Sequence, residues 1–200
     1  MEKKNNSRIK FKLDEQKKYI EKELEKVLAK ISAPKTLKDV MLYSVLNGGK
    51  RIRPFIIAEV SSMFSVNRSI YKYPALAAEM AHSFSLIYDD LPCMDDDDLR
   101  RGKPSVHIKF NEANALLGGS SLLIYAYNML TNRRFLIEDK KKLLLLENLS
   151  NAIGHSGMLA GQFLDLEAEN PNLKLTLKKL NEIQTKKTAL LIAFCCYAGG

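Results

Sequence analysis

The chain has 200 residues, 46% of them apolar and 27% charged. That apolar content excludes a disordered chain, and the length suits one domain with a sizeable core. Lys and Arg outnumber Asp and Glu by 31 to 23, a formal net charge of +8. The excess is mostly lysine, spread over residues 3–30, 140–142 and 174–187. It carries no basic patch interleaved with aromatics, so it reads as a solvated face rather than a nucleic-acid groove.

The elements in chain order are helical throughout. Residues 13–31 repeat Leu, Ile and Val at three-to-four spacing among Lys and Glu, which predicts an amphipathic helix. Pro34 breaks it, and Thr36 is placed to cap a helix over 37–47 that stops at Asn47, Gly48 and Gly49. Pro54 falls in the first turn of the next run, residues 55–66, where its missing N–H costs little. Pro74 opens another helix to about Asp90, and Pro92 ends or kinks it. Pro104 and Ser105 start a helix through Leu130, with Gly118 and Gly119 inside it. Residues 137–150 and 152–168 form two helices or one bent one, closed by Pro171. Thr176 caps the last, from 177 to about 198, whose apolar run from residue 188 reads as buried. No segment alternates strictly enough for a strand. The expected class is all-α, a bundle of long antiparallel helices with short links.

No run of 18 apolar residues appears, so no membrane span is expected. The first residues lack the apolar core of a signal peptide. The three cysteines, Cys93, Cys195 and Cys196, form no CxxC pair, which points to a reducing, cytoplasmic setting.

One segment is chemically unusual. Residues 88–104 read YDDLPCMDDDDLRRGKP, with six aspartates (Asp89, Asp90 and Asp95 to Asp98) inside ten positions. Carboxylates this close repel and raise one another's pKa. Asp89 and Asp90 also fall on the last turn of a core helix, the wrong end of its dipole for negative charge. A hard cation relieves both conflicts; carboxylate oxygens suit Mg²⁺, which keeps waters and shares its shell with phosphate oxygens. Six residues on a straight helix would leave Asp95 about 120° away from Asp89, and a bend at Pro92 is expected to bring it back. A solvated acidic turn is the plainer reading. Against it stand Arg100, Arg101 and Lys103 directly after the acids, and Lys50, Arg51 and Arg53 in the distant stretch GGKRIRP. Arginine forks and lysine charges are the usual phosphate ligands. Acids and bases together are what a metal–diphosphate complex needs.

The aspartate segment resembles the first aspartate-rich motif, DDxxxxD, of the trans-polyprenyl diphosphate synthases, the farnesyl and geranylgeranyl diphosphate synthases. GGKRIRP resembles their GGKRxRP. The likeness continues through EMAHSFSLIYDD, GMLAGQFLDLEAE and QTKKTALL, five separated segments in the family's order. It implies an isoprenoid synthase fold, a homodimer, and head-to-tail condensation of isopentenyl diphosphate with an allylic diphosphate, using Mg²⁺ or alternatively Mn²⁺. By the same resemblance Asp89, Asp90 and Asp95 match the metal-binding carboxylates. Arg100 and Lys187 match allylic-diphosphate ligands, and Thr188 lies near the reacting carbons. Lys50, Arg53, His82 and Arg101 match isopentenyl-diphosphate ligands, and Gln162 and Asp165 match a cavity-facing QxxD pair. Apart from the likeness, His82 reads as readily as an interior histidine and Lys187 as surface charge. Departure of the diphosphate gives the allylic part carbocation character, the homoallylic double bond attacks, and the released diphosphate takes the proton.

Phe84 lies five residues before Asp89, just over one turn upstream. Its ring, beside Ser85, is expected to form a floor that stops growth at the C15 product, as an aromatic does there in the farnesyl enzymes; Pro92 and Cys93 also match the bacterial farnesyl form. Geranylgeranyl diphosphate synthase is the alternative. Two departures stand out. Tyr88 replaces a histidine common in relatives, a change expected to be tolerated. The family's second aspartate-rich motif, DDxxD, follows the KT pair, and residues 1–200 do not contain it. The expectation is therefore one polyprenyl synthetase domain over 1–200, incomplete on its C-terminal side, with a non-catalytic diphosphate-binding homologue or subunit as a further alternative.

Overall fold

A computed structural model describes residues 2–200, with side chains from residue 7 onward. The helices are α1 (Glu2–Ala29), α2 (Lys35–Leu46), α3 (Ile52–Met63) and α4 (Arg68–Asp89), followed by the strands β1 (Leu99–Arg100) and β2 (Lys103–Pro104). Then come α5 (Val106–Phe110), α6 (Glu112–Leu130), α7 (Asp139–Ile153), α8 (Met158–Ala168), α9 (Leu177–Gln184), a π-helical turn (Thr185–Ala189) and α10 (Leu190–Gly199). Among the described residues no helix is long and apolar enough to cross a membrane.

α4 is the axis of the bundle. It packs on α3, α6 and α10 and also touches α1, α2 and α7. Its small buried residues Ala75, Ala77, Ala78 and Ala81 let neighbours approach closely, and Leu76, Met80, Phe84 and Ile87 fill the space between them. The closest approach comes from α6. A Cβ at Gly118 would overlap the Val40 side chain of α2, and one at Gly119 would stand 2.8 Å from the Tyr88 ring.

Several boundaries differ from those expected. α1 starts at Glu2 rather than near 13, because the Lys, Arg and Glu upstream favour helix and no Gly or Pro interrupts them. α2 is headed by Pro34, whose fixed φ and extended ψ set the start, while Thr36 lies inside the first turn and caps nothing. α4 starts at Arg68 rather than Pro74, since the Asn67 side chain accepts from the Ser69 N–H. The extra turns bury Tyr71 and Tyr73, which offsets the hydrogen bond lost at Pro74. The helix expected from 105 to 130 divides at Asn111, which takes φ 79° and caps α6 by accepting from the Asn114 N–H. Residues 137–168 form two helices separated at Gly154 and Gly157. Thr176 caps α9 as expected, accepting from the Lys179 N–H at 3.2 Å. The short ladder was not foreseen; Arg101 and Gly102 both take positive φ, the backbone of a tight hairpin turn.

Arg51 ties the first four helices together. It sits in the left-handed region at φ 55° and is 3% exposed. Its guanidinium donates to Glu79 at 2.6 Å, Glu21 at 3.0 Å and the Val45 carbonyl at 2.5 Å. Its neighbours in GGKRIRP suggest a phosphate ligand, but the structure makes it an internal cross-link. Arg51→Ala leaves Glu79 buried and unpaired, so urea unfolding is expected to show a loss of about 3–5 kcal/mol.

Candidate active site

The C-terminal turn of α4 and the loop after it build the acidic side of the site. Asp89 ends α4 and Asp90 is its C-cap. Pro92 stops the helix, and the loop closes on itself through Met94 N–H to Leu91 O at 2.8 Å and Asp96 N–H to Leu91 O at 3.2 Å. The Asp95 N–H donates to the Asp89 carbonyl at 3.0 Å, so the bend does return Asp95 to Asp89. The hairpin then places consecutive arginines on different targets. Arg100 grips Asp90 through Nε at 2.7 Å and through Nη2, and reaches Asp97 at 3.3 Å. Arg101 donates to the Gly48 carbonyl. Its guanidinium fills the space where a Cβ on Gly49 would stand, and Gly49 has φ 116°, so a side chain is excluded there twice over.

The basic side comes from the turn between α9 and α10. The π turn carries Lys187 and Thr188; such turns often mark functional positions. Lys187 Nζ donates to Asp165 at 2.7 Å and stands 3.7 Å from Asp89, so it bridges α8 and α4. Gly161 of α8 makes room for the turn, since a Cβ there would collide with the Lys187 backbone N.

Between these walls lies a cavity of about 230 Å³. Asp89, Lys187, Thr188 and Gln162 line it together with Arg53, His82, Ser85, Tyr88 and Phe84, whose ring is buried. A more open pocket of about 600 Å³ adjoins it, lined by Lys50, Arg53, His82, Arg101, Arg51 and Glu79. Arg53 and His82 belong to both. Asp90 and Arg100 line neither; they face a void of about 20 Å³ with Asn47 and Ser105.

Burial raises Asp89 above the usual carboxylate range, with Lys187 opposing the shift and Asp95 adding to it. Burial likewise raises Asp90, against the pull of the Arg100 hydrogen bond. At Lys187 burial works downward, but the Asp165 hydrogen bond and Asp89 outweigh it and raise the ammonium. Among the described residues no three His, Cys, Asp or Glu side chains converge as a metal cage. The donors nevertheless fit a hard divalent ion that keeps waters in its shell: Asp89 and Asp95 offer only oxygen, are joined through the backbone, and burial, with Asp95, holds Asp89 above the usual carboxylate range.

Residues 34–200 match the model of the polyprenyl synthetase family. The chain belongs to that family. A farnesyl diphosphate synthase of Bacillus subtilis is 44% identical over 188 residues, covering 94% of this chain and 63% of its own length. A chloroplastic geranylgeranyl pyrophosphate synthase of Arabidopsis thaliana is 37% identical over 204 residues, covering 98% and 55%. The crystal structure of a geranyltransferase from Legionella pneumophila superimposes with a TM-score of 0.92 at 36% identity, covering 98% of this chain and 70% of the other. The isoprenoid synthase fold is therefore established, and the chain spans under two thirds of the Bacillus relative it matches.

Within this polyprenyl synthetase frame some site residues carried no readable signal. Asp97 appeared as one more solvated acid, yet it shares Arg100 with Asp90. Met158 and Leu159 line the cavity from α8, and nothing in their sequence neighbourhood marks them. Tyr88, noted only as a departure, forms part of the wall.

His82 sits among like charges. Burial first, then Arg53, Arg101, Arg51 and Arg100, hold it well below the ordinary 6.5. The folded protein thus keeps His82 neutral while the unfolded chain takes up a proton below pH 6.5. The unfolded state binds more protons in that window, so this contribution to stability is complete above pH 6.5 and is lost as pH falls toward the folded pKa. Unfolding free energy measured between pH 7 and 5 is expected to fall by up to about 1.4 kcal/mol per pH unit from this one group. His82→Gln should flatten that slope.

Proposed function

We propose that this chain carries the diphosphate-binding half of a Mg²⁺-dependent prenyltransferase that joins isopentenyl diphosphate to dimethylallyl or geranyl diphosphate and yields farnesyl diphosphate. The observation that carries the reading is one cavity lined by the charged Asp89 and Lys187, by Thr188 and by the buried aromatic Phe84. Asp89, Asp90 and Asp95 would hold Mg²⁺, or alternatively Mn²⁺. When bound, the ion supplies positive charge to the departing diphosphate. Lys187 and Arg100 add cationic charge to the same group. Lys50, Arg53 and Arg101, with neutral His82, hold the isopentenyl diphosphate in the adjoining pocket. Gln162 and Thr188 border the space for the reacting carbons. No side chain needs to act as the base, because the released diphosphate takes the proton.

The higher identity to the farnesyl enzyme than to the geranylgeranyl enzyme, 44% against 37%, supports the C15 product. Residues 1–200 are read as one polyprenyl synthetase domain. A non-catalytic diphosphate-binding homologue or subunit is the second reading. The free cysteines support a reducing, cytoplasmic setting. An uncharged outer face on α6, with Leu117 and Ile124 at 62% and 61% exposure, supports a homodimer.

Calorimetry with geranyl thiolodiphosphate and Mg²⁺ on the 200-residue chain tests the binding claim. Asp89→Ala and Lys187→Ala are each expected to weaken binding at least tenfold, about 1.4 kcal/mol; no binding by the unmodified chain would sink the reading. A radiolabel assay with isopentenyl and geranyl diphosphates then separates the two readings, turnover supporting the enzyme and binding alone the non-catalytic homologue. In that assay Phe84→Ala should lengthen the products, and an unchanged distribution would remove the floor role. Leu117→Glu combined with Ile124→Glu should convert a dimer to a monomer in sedimentation velocity.

A further inference from the structure

Phe84 can act as a floor only if its ring cannot swing aside under a growing chain. The ring that faces it belongs to Tyr88, one helical turn further along α4. The two ring centroids are 4.6 Å apart with planes inclined at 56°, and both rings line the 230 Å³ cavity. Tyr88 is itself held from behind. Its hydroxyl lies 2.7 Å from Ser120 Oγ and 3.5 Å from the Leu116 carbonyl, both on α6. The edge of its ring rests against Gly119, where a Cβ would stand 2.8 Å from Cε2 and 3.0 Å from Cδ2. Tyr88 thus occupies a slot that exists because residue 119 has no side chain, with its hydroxyl anchored at one end and its ring against Phe84.

We propose that Tyr88 is a positioning residue for chain length: anchored on Ser120 and backed by Gly119, it braces the Phe84 ring and so sets the depth of the product cavity. This rests on the reading of Phe84 as the floor. Tyr88 touches neither diphosphate nor reacting carbons in this scheme. It acts through Phe84, so its removal should change which chain lengths fit rather than how well the diphosphate is held.

The test uses the 200-residue chain with Mg²⁺ and a series of unreactive allylic thiolodiphosphates carrying 10, 15 and 20 carbons. The quantity read is the ratio of C20 to C10 affinity, which a general loss of structure does not raise. Phe84→Ala is expected to raise that ratio about tenfold. Tyr88→Ala should raise it at least fivefold, while Tyr88→Phe, which keeps the ring and drops the anchor, should raise it by a smaller factor, about twofold. In the Phe84→Ala background Tyr88→Ala should add less than twofold, because the brace has nothing left to hold. Gly119→Ala presses on the ring from behind and should move the selectivity the other way, weakening the C15 probe at least threefold relative to C10; it remains decisive if Tyr88→Ala does not fold. A raised ratio in Phe84→Ala with no change in Tyr88→Ala or Gly119→Ala overturns the brace. An unchanged ratio in Phe84→Ala removes the floor and the brace together, and failure of every probe to bind removes the diphosphate reading beneath both.

Discussion

Two carboxylates at the C-terminal end of a buried helix are in the wrong place by every simple electrostatic measure. The helix dipole presents its negative end there, α4 leads them out of an apolar core, and burial opposes their charge. The surrounding structure answers that conflict. Arg100 crosses from the hairpin to Asp90, and Lys187 reaches from the turn between α9 and α10 to Asp89 while leaning on Asp165. The cations proposed to receive the diphosphate therefore rest against the carboxylates proposed to receive the metal ion. The proposed metal–diphosphate complex would supply a cation to the carboxylates and an anion to Lys187 and Arg100.

The two adjoining pockets are linked by covalent geometry as well as by charge. Arg100 and Arg101 are adjacent, yet the left-handed conformation at Arg101 turns them to different targets, one to the aspartates and one to the Gly48 carbonyl. Arg53 and His82 stand in the wall between the pockets and line both. A shift of the hairpin would be felt on either side. The buried Arg51 cross-link keeps the basic loop from following such a shift freely, since it fixes the start of α3 to α1, α2 and α4.

Much of this was legible in the residues, for physical reasons. Helical periodicity, proline breaks and the Thr176 cap placed most helices within a few residues. The density of aspartates pointed to a cation, since close carboxylates repel one another. Asp89, Lys187, Thr188, Gln162, Phe84 and His82, scattered over more than 100 positions, line one cavity. What escaped was set by contacts between distant segments. Arg51 and Arg53 are two residues apart in one motif, but only the fold decides that the first turns inward to Glu79 and the second toward the cavities. Pro74 looked like a helix start because the Asn67 cap is a weaker signal than a proline. The bond from Tyr88 to Ser120 spans 32 positions, and no local pattern encodes it.

The π turn at Thr185–Ala189 has an implication of its own. A π turn is an α-helix that has taken in one extra residue while the segments on either side keep their phase. α9 and α10 would run on as one helix without it, and Leu191, Phe194 and Cys195 would still face the core. The bundle does not require that residue for its architecture. The widened turn swells toward the cavity at the level of Lys187 and Thr188, and α8 accommodates it with a glycine. Without the extra residue the helix would present a different face to the cavity. The extra residue thus sets which atoms line the cavity while the core contacts of α10 stay as they are.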